Sequence, residues 1–136
     1  MIIKVKKKIE NTELELKILY IDNHGHGISF SNNIEFLIPG ALKDEIVLAK
    51  PMKTINKKVY CKLTKVKLRS DSRIKEDCKK FIICGGCDFR QVNKAWLQDW
   101  KLDKLIQKTS SLNIQKKILP MTTSKKNFRR RATFSA

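Results

Sequence analysis

Residues 57–68, KKVYCKLTKVKL, alternate apolar and polar side chains for almost their whole length. A period of two belongs to a strand with one buried face, whereas a helix would repeat its apolar positions every three or four residues. Val59, Cys61 and Leu63, with Lys65 trailing, fall on one face, and Tyr60, Lys62, Thr64, Val66 and Leu68 on the other. Cys61 therefore reads as a small buried hydrophobe and not as a ligand. Similar short runs precede it at 12–21 (TELELKILYI), 27–31, 34–38 and 45–52. Turn chemistry separates them: Asp22-Asn23-His24-Gly25-His26-Gly27, the hairpin pair Asn32-Asn33, and the breaker Pro39-Gly40. His24 and His26 read as polar turn residues. Five short strands in so few residues predict a mostly β fold with some α. Residues 1–68 match the size of a five-stranded OB-like β-barrel, a type that binds single-stranded nucleic acid on one face.

The charge narrows the partner. Thirty Lys and Arg oppose thirteen Asp and Glu, a net of +17, so a polyanion is the natural ligand and nucleic acid the usual one. Every arginine lies beyond residue 66, where eighteen basic residues face six acids. Arginine's planar fork suits phosphates and base edges better than the point charge of lysine does. The tail SKKNFRRRATFSA interleaves Arg129, Arg130 and Arg131 with Phe128, Ala132 and Phe134, a strand-like pattern that favours RNA contact over a merely solvated run.

After a linker at 69–73 comes Cys78-x5-Cys84-Gly85-Gly86-Cys87, then a helix expected over 92–108. Val92, Trp96, Trp100 and Leu105 lie near one stripe of that helix, and a stripe of this kind is core more often than a base-stacking surface. No apolar run is long enough for a membrane span and the N-terminus carries no export signal, so a cytoplasmic location without membrane contact is expected. Clustered cysteines in a reducing compartment point to metal or redox chemistry before disulfides. A thioredoxin-like role needs a parallel strand–helix unit that does not precede this segment. Zinc wants four tetrahedral ligands, and no second cysteine knuckle exists. An iron–sulfur cluster accepts three cysteines in one segment with a distant fourth, and glycines let backbone N–H groups approach its sulfurs. Chemistry alone leaves iron–sulfur slightly ahead of zinc, with one ligand missing in both cases.

Read together, these pieces resemble the RNA uracil-5-methyltransferase family, S-adenosylmethionine-dependent enzymes that methylate uridine C5 in ribosomal or transfer RNA. Asn23-His24-Gly25-His26-Gly27 and Ile38-Pro39-Gly40-Ala41-Leu42-Lys43-Asp44-Glu45 are similar to segments of that family's N-terminal TRAM domain, which has an OB-like fold. The cysteine spacing resembles the family's cluster segment, and Phe128-Arg129-Arg130-Arg131-Ala132-Thr133-Phe134 its arginine strand. The resemblance implies that Cys78, Cys84 and Cys87 bind a [4Fe–4S] cluster, and that Arg129, Arg130 and Arg131 contact RNA; a monomer is expected. The family's fourth cluster cysteine lies downstream of the arginine strand and has no counterpart here. Neither has the Gly-rich S-adenosylmethionine turn nor the cysteine nucleophile that attacks C6 of uracil. The expectation is thus a fragment of a larger α/β enzyme, inactive alone: barrel at 1–68, linker and cysteine segment at 69–91, helix and first strand of a central domain at 92–136. The alternative is a stand-alone, non-enzymatic RNA-binding protein with a zinc or incomplete metal site.

Overall fold

The computed structural model describes residues 12–81, 83–84, 87–112 and 118–124. Their strands are β1 (Leu14–Lys17), β2 (Tyr20–Ile21), β3 (His26–Ser31), β4 (Ile34–Pro39), β5 (Ile46–Ile55) and β6 (Lys58–Leu68), followed by helix α1 (Lys94–Thr109) and a short 3-10 turn at Ser110–Leu112. The strands form one curled sheet in the order β1-β5-β6-β4-β3-β2. Neighbours are antiparallel except for the short β4–β6 pairing, which is parallel. The mostly β, OB-like expectation therefore holds.

The expected first strand is divided. β1 and β2 are the two edges of the sheet, yet they are consecutive pieces of one segment. The switch occurs at Ile18-Leu19. The Ile18 N–H donates to Glu45 O at 2.9 Å on the β5 side, and the next N–H, of Leu19, donates to Ile28 O at 2.8 Å on β3. A segment that leaves one partner for another must break its ladder, which is why a continuous apolar run gives two strands. The same switch draws the edges together and removes much of the exposed rim that an open sheet would have.

Both hairpins turn on residue pairs in the left-handed region. Asn32 and Asn33 have φ of 49° and 60°, as the sequence suggests, and Asn56 and Lys57 have 48° and 65°. Two positive φ angles in a two-residue loop match the right-handed strand twist. Strand β5 runs on to Ile55, past the expected end at Met52, because Pro51 sits beside an irregularity where the register steps from Pro51↔Cys61 to Lys53↔Tyr60. A second step pairs Ala49 with Leu63 and Leu48 with Lys65, leaving Thr64 as the extra residue. Its hydroxyl donates to Leu48 O at 2.9 Å. The bulge shifts the inward positions by one, so Val66 packs against the core although simple alternation put it on the opposite face from Val59.

The core gathers Leu16, Ile18, Phe36, Ile38, Ala41, Val47, Ala49, Val59 and Cys61. Gly27 fits this core only without a side chain, since a Cβ there would lie 2.9 Å from both Cβ and O of Ala41.

Helix α1 starts at Lys94, not at 92. Asn93 caps it, its Oδ1 accepting the Trp96 N–H at 2.8 Å. The tryptophan stripe expected as core is not fully buried: Trp96 and Trp100 are half-buried, and Leu105 and Ile106 are exposed. Helical spacing defines a face but not what covers it. The chain divides into two compact units between Leu97 and Gln98. In the second, Gln98 Nε2 donates to Met121 O at 3.2 Å. Among the described residues no helix is long and apolar enough to cross a membrane.

Candidate functional site

The cysteine segment is a loop with a tied base. Arg73 and Val92 form an isolated antiparallel bridge, flanked by Ile74 N–H donating to Gln91 O and Asn93 N–H to Ser72 O, both at 2.8 Å. Between these ties no described residue from Lys75 to Arg90 is buried.

The base is fixed to the barrel by a buried ion pair that sequence reading missed. Glu45, fully buried, receives Arg73 through both carboxylate oxygens, Nη2 reaching Oε2 at 2.9 Å. Arg73 Nη2 also donates to Gly40 O at 2.6 Å. The remaining capacity of the carboxylate is filled by the N–H groups of Leu42, at 2.8 Å, and Ser70, at 3.3 Å. A buried charge persists only when paired and hydrogen-bonded, and here both conditions are met. Gln91, also fully buried, donates to Gly40 O at 3.4 Å, while its Oε1 accepts no bond from a described group.

Within the loop, the Phe81 N–H donates to Cys78 O, and Cys84 N–H to Lys80 O at 2.9 Å, coiling the segment between the first two cysteines. Arg90 bonds Asp77 and lies beside the Cys87 thiol, and Cys87 first, then Asp77, push its guanidinium further towards the charged form. This contact ties the residue before Cys78 to the stretch after Cys87.

All three thiols are free; Cys78 is half-buried, and Cys84 and Cys87 are exposed. Sulfur donors of this kind suit a thiophilic centre such as iron–sulfur or zinc. Among the described residues, however, no three His, Cys, Asp or Glu side chains are grouped closely enough to hold a metal ion. Cys61 is a different thiol. It is buried in the core and burial pushes its pKa up to about 11, as its strand position suggests.

Sequence distance concealed one neighbour of the loop. The turn with His24 and His26 packs against it: His24, His26, Cys87 and Asp88 line one cavity of about 110 Å³, together with Pro39, Gly40 and Phe81. Gly25, at φ 83°, permits this approach, because a Cβ there would stand 3.0 Å from Phe89 Cζ. Asp22 shapes the turn, its Oδ1 accepting the N–H groups of His24 at 2.8 Å and His26 at 2.9 Å, while Oδ2 faces His26 Nδ1 at 3.2 Å. Arg129, Arg130 and Arg131 lie outside the described residues.

Known proteins share this region. The chain is 34% identical over 88 residues to the 23S rRNA (uracil(1939)-C(5))-methyltransferase RlmD of Colwellia psychrerythraea, covering 65% of this chain and 19% of that protein. The corresponding enzyme of Vibrio parahaemolyticus is 30% identical over 90 residues, 66% of this chain and 20% of its own length. This chain is homologous to the N-terminal part of the RNA uracil-C5-methyltransferase family. An uncharacterised RNA methyltransferase of Streptococcus pyogenes extends the likeness to 107 residues at 32% identity, 79% of this chain and 23% of that relative. The chain thus spans about a fifth of the length of the methyltransferases it matches. No protein-family model matches it.

Proposed function

We propose that these 136 residues are the RNA-binding, iron–sulfur-containing N-terminal portion of an S-adenosylmethionine-dependent RNA uracil-C5 methyltransferase acting on ribosomal or transfer RNA. The observation that carries this reading is the likeness to RNA methyltransferases over 88 to 107 residues. A net charge of +17 supports RNA as the partner, and three free thiols in one tethered loop support a metal centre.

In this reading Cys78, Cys84 and Cys87 hold a [4Fe–4S] cluster that shapes the loop and positions RNA. The fourth ligand comes from elsewhere and is not Cys61, whose thiol is turned into the barrel core. Arg129, Arg130 and Arg131 contact phosphates. Methyl transfer and S-adenosylmethionine binding are assigned to a part of the enzyme that these residues do not represent. The protein acts as a cytoplasmic monomer.

Metal analysis of anaerobically purified protein tests the site. Iron and acid-labile sulfide in equal amounts are expected, and Cys84→Ser should remove both. Zinc without sulfide would favour the alternative, a non-enzymatic RNA-binding protein. A folded protein that stays metal-free after anaerobic reconstitution would overturn the cysteine assignment.

A further inference from the structure

A second cavity, of about 510 Å³, shares no lining residue with the one beside the cysteines. Three segments meet at it: Lys43-Asp44 before β5, Arg69–Ser72 after β6, and Asn93 and Trp96 at the start of α1. Its volume is in the range of small-ligand sites. Bonds already described fix its walls. The buried Glu45 carboxylate accepts the N–H of Leu42, next to Lys43, and that of Ser70, between Arg69 and Asp71. Asn93 N–H donates to Ser72 O at 2.8 Å, and Asn93 Oδ1 caps the turn that carries Trp96. Phe89 braces the Trp96 ring, their centroids 6.1 Å apart. Side chains on such a fixed frame lose little freedom when a ligand arrives.

Asp44 is the unusual member. Its φ of 67° lies in the left-handed region, where glycine meets no steric penalty, and its N–H is committed to Ile18 O at 2.9 Å. Among the described residues no ion pair engages Lys43, Asp44, Arg69 or Asp71. This mixture of charges narrows the ligand. Two carboxylates repel a bare phosphate, and Lys43 and Arg69 repel a metal cation. The complement carries an anionic group, hydrogen-bond donors for a carboxylate and a flat ring for the indole. Guanosine phosphate has all three. Guanine N1–H and N2–H lie side by side and match both oxygens of one carboxylate, a pairing that no other common RNA base offers.

We propose that this cavity binds one guanosine phosphate unit, with Trp96 stacked on the base, Asp44 accepting from N1–H and N2–H, and Lys43 and Arg69 holding the phosphate. That the guanosine belongs to an RNA strand rests on the RNA-binding reading above; the chemistry of the pocket does not.

The test uses the 136-residue chain carrying Trp100→Phe, in which Trp96 is the one remaining tryptophan. Guanosine monophosphate should quench its fluorescence and bind about 5- to 150-fold more tightly than adenosine monophosphate, the range for one bidentate base contact. Asp44→Gly should erase that preference while the urea midpoint stays unchanged or rises, which separates lost recognition from lost folding. Arg69→Gln should weaken both nucleotides alike. A single-stranded RNA of about 10 nucleotides with one guanosine among uridines should also quench Trp96, and its all-uridine counterpart should not. Equal affinity for the two mononucleotides, or a preference that survives Asp44→Gly, would overturn the pocket. RNA binding without any change at Trp96 would overturn it too, while leaving the RNA reading in place. Quenching by guanosine monophosphate from a chain that binds no RNA would keep the pocket and overturn RNA as its source.

Discussion

The barrel and the cysteine loop are held by different physics. The barrel buries nine apolar side chains in one cluster under a ladder of strand hydrogen bonds. Between Lys75 and Arg90 the loop buries none of its described residues, and it is kept in place by a bridge at its base, a buried ion pair and one glycine-permitted contact. The barrel can therefore persist whatever the loop binds, whereas the loop's arrangement depends on a few polar ties.

The largest effect should come from cutting the tie that both regions share. Arg73→Ala would strand the Glu45 carboxylate in the interior with only the Leu42 and Ser70 N–H groups as partners. Removing one member of a buried pair costs about 3–5 kcal/mol. Urea unfolding should show that loss, and limited proteolysis should cut the 75–90 loop faster. A loss below about 1 kcal/mol would mean that the pair does not join the two regions.

Two glycines separate the regions more finely. At Gly27 an added Cβ would meet the Ala41 backbone and Cβ at 2.9 Å and Ile18 Cγ2 at 3.1 Å, so Gly27→Ala should overpack the barrel and cost about 1–3 kcal/mol. At Gly25 the neighbour is the edge of the Phe89 ring, which can swing aside, although φ of 83° remains unfavourable for alanine. Gly25→Ala should cost about 1 kcal/mol in urea. Its main signature should be faster proteolysis of the loop with the barrel intact. Equal losses of stability in the two variants would erase the distinction between a rigid core and an adjustable loop.

The same difference decides what the sequence could reveal. Barrel strands are legible because one buried face imposes a period of two, and Cys61, between Val59 and Leu63, is placed correctly by that rule alone. The division at Ile18-Leu19 and the inward turn of Val66 are not legible. They arise from a change of strand partner and from a bulge, which exist only once the sheet has closed. The loop shows the reverse. Its cysteine spacing announces chemistry, but its ties are single long-range contacts: Glu45 with Arg73, and Gly25 with Phe89. Each joins residues that no local pattern links. Glu45 reads as the start of a strand, and only burial identifies it as the anchor.

The smallest effect concerns the thiols. Cys61 has its pKa raised from 9.0 to about 11 by burial, so the folded state retains a proton that the unfolded chain loses first. Its contribution to stability is complete below pH 9 and falls as pH rises towards 11. Cys61→Val, which keeps an apolar side chain in that place, should lack this slope. Comparing the two urea midpoints from pH 8 to 11 isolates it from the titration of lysines, which both proteins share. Iodoacetamide at pH 8 should meanwhile modify Cys84 and Cys87 in the native metal-free protein and spare Cys61. Modification of Cys61 at the same rate would show that the barrel opens as readily as the loop, and that the two regions are not held differently after all.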